Sequence, residues 1–107
     1  MTQGLITITE DGNVIMKIVA GSNGMIAEKV AKSLVKIYKR AKLSEVYEMV
    51  LDIGFGSQND LVVINENEQF SKSPDVISPL YRKTFTQPEF NPRWECGLAD
   101  YVKVVHV

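Results

Sequence analysis

The first two dozen residues constrain this chain more than any other stretch. Gly4-Leu5-Ile6-Thr7-Ile8-Thr9 and Val14-Ile15-Met16-Lys17-Ile18-Val19 are rich in Cβ-branched side chains, which fit a pleated surface better than a helix. Between them stands Glu10-Asp11-Gly12-Asn13. Asp-Gly tolerates positive φ at both central positions of a type I′ turn, so a hairpin with a two-residue loop at Asp11 and Gly12 is expected. A regular ladder from that turn sets Glu10 opposite Asn13, Ile8 opposite Ile15, Ile6 opposite Lys17 and Gly4 opposite Val19. One face then carries Leu5, Thr7, Thr9, Val14, Met16 and Ile18, and the other Ile6, Ile8, Ile15, Lys17 and Val19. Neither face is simply polar, so both need cover.

Ala20-Gly21-Ser22-Asn23-Gly24 follows as a sharp corner, with Ser22 or Asn23 placed to cap a helix. It lacks the spacing of the dinucleotide-binding and phosphate-binding glycine loops. Met25 to Arg40 reads as an amphipathic helix, with Ile26, Ala27, Val30, Ala31, Leu34, Val35 and Tyr38 along one stripe. Its basic run, Lys29, Lys32, Lys36, Lys39 and Arg40, carries no interleaved aromatics and reads as a solvated face. A second helix is expected from Glu45 to Ile53, capped by Ser44 and stopped by Gly54. Phe55, between two glycines, reads as a plug into the core.

Asp60 to Ile64 is a short buried run and a third strand. Asn65 to Gln69 is a polar turn. Phe70 to Trp94 holds all 4 prolines and reads as a long irregular stretch, with a single helical turn within Val76 to Lys83. Ala99 to Val107 alternates as a closing strand. Val102, Val104 and His106 lie on one side of it, and Tyr101, Lys103, Val105 and Val107 on the other. The order β-β-α-α-β-loop-β describes a single α+β domain with two layers. Its sheet has about four mainly antiparallel strands, with two helices on one face. A homodimer through the second face of the hairpin would cover what the helices leave bare.

Composition narrows the function. The 107 residues carry a net charge of −1, so no nucleic acid or anionic membrane is expected as a partner. One cysteine allows no intrachain disulfide, which fits a reducing cytoplasm, and no signal peptide or spanning segment is expected. No cofactor is implied. Cys96 and His106, the only residues of their types, do not make a zinc site. The densest interaction-prone set is Tyr81, Arg82, Lys83 and Phe85 with Asn91, Arg93 and Trp94. Guanidinium forks beside aromatic rings can hold an anionic, nucleotide-like ligand. The same aromatics can instead tuck the loop onto the open sheet face.

The stretches Gly4 to Ile8, Val14 to Gly24 and Ala99 to Val105 resemble a group of small, largely uncharacterised bacterial and phage proteins. Those open with a Gly-Leu-Ile-Thr-Ile-like strand and reach a Gly-x-x-Gly corner. The resemblance implies a phage or prophage accessory role and no established activity. More loosely, the opening is similar to the first hairpin of N-terminal-nucleophile hydrolases. That resemblance implies an amidohydrolase in which Thr2, exposed by removal of Met1, is the nucleophile and Lys17 its partner. The regular register sets the two roughly 13 Å apart along the strands. The leading expectation is therefore a cytoplasmic protein that binds a partner protein or a small anionic molecule. The amidohydrolase and a structural or assembly subunit are the alternatives.

Overall fold

A computed structural model describes residues 2–73, 85–91 and 99–107. Strands β1 (Gly4–Glu10) and β2 (Asn13–Ala20) form the hairpin. A 3-10 turn, Gly24–Ile26, leads into α1 (Ala27–Leu34), and α2 (Leu43–Ile53) follows. Strands β3 (Val62–Asn65), β4 (Gln69–Phe70) and β5 (Tyr101–His106) complete a sheet in the order β4-β3-β2-β1-β5. The α+β reading holds. Among the described residues the sheet, however, has five strands rather than about four, and it is mixed. The additional strand is the two-residue β4, paired antiparallel with β3 after the 65–68 turn, while β5 runs parallel to β1.

The turn has the expected form, with positive φ at Asp11 (52°) and Gly12 (81°). The register beyond it does not. Thr9 pairs with Val14 but Ile8 pairs with Met16, so Ile15 is the extra residue of a β-bulge. Every pair below is displaced by one: Thr7 lies opposite Lys17, Ile6 opposite Ile18 and Leu5 opposite Val19. A one-residue slip exchanges the faces of one strand relative to the other. Here it sorts the hairpin cleanly. Ile6, Ile8, Met16, Ile18 and Ala20 join the helix-side core, while Leu5 and Val19 pack on the opposite face. Thr7 and Thr9 alternate with Ile6 and Ile8 along β1, and Lys17 with its neighbours along β2.

The helix over Met25 to Arg40 is shorter than expected. After Leu34 the backbone tightens into mixed turns, with Ile37 and Tyr38 N–H both donating to the Leu34 carbonyl at 3.0 Å. A tighter turn advances the apolar stripe faster than 100° per residue. Val35 is therefore exposed, while Ile37 joins Tyr38 against the core. α2 begins before Ser44, and its first turn is closed by Glu45 Oε1 accepting the Lys42 N–H at 3.0 Å. Gly54 ends it in the left-handed region, φ 104°, as the glycine signal implies. Phe55 is fully buried in the helix-side core.

Neither corner residue caps a helix through its side chain. Asn23 sits at φ 56° with no capping bond, and Ser22 Oγ donates instead to Asp60 Oδ2 at 2.7 Å. Tyr47, in α2, is fully buried with its ring edge-on to Phe70 at 5.1 Å. Among the described residues its hydroxyl makes no well-formed hydrogen bond, the Lys72 backbone amide being the group nearest to making one, and burial raises its pKa. A buried hydroxyl without a well-formed hydrogen bond carries a cost that phenylalanine lacks. Tyr47→Phe is therefore expected to leave stability unchanged or to raise it by up to about 1 kcal/mol. Chemical denaturation measures this, and a loss larger than that would show that the hydroxyl is satisfied.

Candidate functional site

The sheet face away from the helices is covered within the chain itself. Leu5, Val19, Val62 and Ile64 pack there with Phe85 and Ala99. The bare face that motivated a dimer through the hairpin is thus occupied by residues of the irregular stretch. Lys17 fastens them. It is fully buried, with Nζ donating to the Gln87 carbonyl at 2.5 Å and to the Phe90 carbonyl at 2.8 Å. The ammonium also stands 6.0 Å from the Phe85 ring centroid, within reach of a cation–π attraction. Thr7 Oγ1 donates to the carbonyl between those two, that of Pro88, at 2.5 Å. The turn is closed by its own bond from Phe90 N–H to the Gln87 carbonyl at 3.1 Å. Burial pulls the Lys17 pKa down to about 8, because a charged amine loses water there. Thr7 and Lys17, opposite each other after the bulge, act together as a polar cradle for the segment 85–91.

The expected ligand-binding set is divided by this arrangement. Phe85 and Asn91 are both buried in the chain. Tyr81, Arg82, Lys83, Arg93 and Trp94 lie outside the described residues, as do Cys96 and the helical turn expected within 76–83. A cleft of about 470 Å³ at the hairpin tip has Phe85, Val14 and Ile15 among its walls, but Glu10, Asp11 and Glu66 also line it. Those carboxylates disfavour an anion. Of the basic helix residues, Lys39 pairs with Glu10 at 2.9 Å. Lys29, Lys32, Lys36 and Arg40 are exposed. Among the described residues no group of His, Cys, Asp and Glu side chains could hold a metal ion, and no helix is long and apolar enough to cross a membrane.

Thr2 and Lys17 are not brought together. The Thr2 carbonyl accepts Gly24 N–H at 3.1 Å and its hydroxyl lies 3.7 Å from Met25 Sδ. Lys17 pairs instead with Thr7, and the strand between Thr2 and Thr7 spans roughly 16 Å at the usual rise.

Among the described residues the sheet has two outer edges, the two-residue β4 and the longer β5. Tyr101 N–H donates to Gln3 O at 3.0 Å and Val107 N–H to Thr9 O at 2.8 Å, so the odd-numbered residues point their backbone groups at β1. By alternation Val102, Val104 and His106 point theirs away. Among the described residues no strand pairs with that side. Two side-chain bonds fix the strand at its ends. Asp100 Oδ2 accepts Gln3 N–H at 3.0 Å, and His106 Nδ1 is hydrogen-bonded to Thr9 Oγ1 at 2.6 Å. Tyr101 and Val107 are 44% and 42% exposed. The sequence signal for this edge was the valine-rich run Val102 to His106, with Val102, Val104 and His106 on one side and Lys103 and Val105 on the other. Such a run alone does not separate an edge strand from an interior one.

No family model matches the chain, and neither the curated proteins nor the solved structures contain a significant match to it.

Proposed function

We propose that the protein acts by binding a partner protein, an extended segment of which adds to the outer edge of β5. The observation that carries this reading is the row of backbone donors and acceptors at Val102, Val104 and His106, on the side of β5 away from β1. A strand edge of this kind is a template for an incoming strand, with main-chain bonds supplying affinity and alternate side chains supplying specificity. The end fastenings through Asp100 and His106 hold the template in its extended form, which reduces the ordering cost of binding. A small anionic ligand has weaker support, because the hairpin-tip cleft is lined by carboxylates.

A photo-crosslinking amino acid in place of Tyr101 tests the reading in cells that make the protein. The expected result is a crosslink to one extended segment, mapped by mass spectrometry, that disappears in Val104→Pro. Proline at 104 removes an outward donor and no β1–β5 bond, so the fold tolerates it at an edge. A crosslinked partner that survives Val104→Pro would reject strand addition.

A further inference from the structure

We infer that the segment added to β5 is β5 of a second copy of this chain, antiparallel and related by a two-fold axis at Val104. The inference rests on the strand-addition reading and names its partner. Isologous pairing requires one surface to complement itself, and the residues from Tyr101 to Val107 do so in one register.

Hydrogen bonding restricts the choice first. Only Val102, Val104 and His106 point backbone groups outward, so the axis must pass through a residue rather than between two. Otherwise outward groups of one copy would meet inward groups of the other. An axis at Lys103 sets two ammonium groups directly opposite each other, which is unfavourable. An axis at Val105 sets Lys103, rather than Tyr101, opposite the exposed Val107. An axis at Val104 sets Val104 against its own copy, Val102 against His106, Lys103 against Val105, and Tyr101 against Val107.

That register uses the exposed apolar groups of the strand. Tyr101 and Val107 are two of the four large apolar side chains most exposed among the described residues, with Met25 and Val35. The two-fold places each Tyr101 opposite a Val107, and an aromatic facing a β-branched side chain is a favourable cross-strand pair. Lys103 meets an aliphatic side chain and no second charge. Pairing over one short strand buries little area, so the dimer belongs to the weak, concentration-dependent class.

Light scattering over a wide concentration range reads the result. The molar mass of the wild type is expected to climb toward twice that of the single chain. Val104→Pro is expected to raise the dissociation constant by more than about tenfold, through the lost donors at the axis. Tyr101→Glu and Val107→Lys, both at exposed ends of the strand, should each weaken association. The double variant should recover it, because a carboxylate at 101 then faces an ammonium at 107 of the other copy. This pair keeps the test decisive if Val104→Pro is poorly folded. Association indifferent to all these changes would place the contact elsewhere and overturn the inference. A wild type that stays single at every concentration also overturns it. In that case a Val104→Pro-sensitive crosslink from position 101 to a different protein leaves strand addition standing, and no such crosslink brings down both.

Discussion

Gly24→Ala is expected to lose about 3 kcal/mol of stability or more, a large share of what holds a domain of this size together. A Cβ on Gly24 would lie 2.4 Å from the Gln3 carbonyl carbon, 2.5 Å from Gly4 N and 2.6 Å from Gln3 O. All three are backbone atoms, so no side chain can swing aside. The obstruction is mutual, because a Cβ on Gly4 would lie 2.6 Å from Gly24 Cα and 2.6 Å from Phe55 Cε1. Two stretches of main chain therefore touch where β1 begins and the corner ends, with Phe55 pressed against the same point. Relief requires the two to separate. That would stretch the Gly24 N–H bond to the Thr2 carbonyl, 3.1 Å, and open the core around Phe55. Gly12→Ala is the matched control. Nothing lies within 4 Å of its added Cβ, but φ is +81°, so only the left-handed backbone penalty of about 1 kcal/mol applies. Denaturant unfolding of both variants separates crowding from backbone preference. Equal losses would show that the Gln3–Gly24 contact yields freely.

How much of this was legible beforehand varies with the kind of signal. Local chemistry read well. Asp11-Gly12 gave the turn, Gly54 the helix stop, and the apolar periodicity the two helices that cover one face. Phe55 between glycines read correctly as a plug. What failed depended on a single inserted residue. The bulge at Ile15 is invisible to residue type, since Val14, Ile15 and Met16 are all apolar, and either register can be written through them. Lys17 carried the hint. A regular ladder buries it among Ile6 and Ile8, whereas the bulged one sets it opposite Thr7, where an amine has carbonyls to bind. The two-residue β4 and the parallel pairing of β5 are tertiary facts, decided by which edges remain after the hairpin and β3 have paired. The polar cradle was missed for a similar reason. Its acceptors are backbone carbonyls of residues 87, 88 and 90, and carbonyls leave no mark in a sequence. Alternation of Thr7 and Thr9 with Ile6 and Ile8 was the available sign that this face would bind main chain rather than solvent.

Lys17 also makes stability depend on pH, with a definite sign. Its pKa in the folded chain is about 8, against 10.5 for an ordinary lysine, and burial is the cause. Between those values the unfolded chain holds a proton that the folded chain has released. Stability therefore rises with pH across that window, because the slope follows the protons bound by the unfolded state in excess of the folded one. The contribution is flat below about pH 8, where both states are charged and the full cost of burying the charge is felt. It is flat again above about pH 10.5, where both are neutral. Integrated across the window, the gain is about 3 kcal/mol. Lys39 and Lys72 act in the opposite direction. Their partners Glu10 and Glu48 raise their pKa values, so those pairs weaken as pH climbs. Comparison with Lys17→Met cancels them, since methionine keeps the apolar stem and removes only the titrating amine. The expected result is a wild-type-minus-variant stability difference that is level up to about pH 8 and then grows by about 3 kcal/mol toward pH 10.5. The variant should loosen the covering segment at one place above all. The Gln87 carbonyl keeps its bond from Phe90 N–H, whereas the Phe90 carbonyl gives up its bond from Lys17 Nζ. Chemical denaturation at a series of pH values gives the difference directly. A difference level across the whole range would mean that the amine reaches water with the segment in place, and that Lys17 fastens the turn without being dehydrated by it.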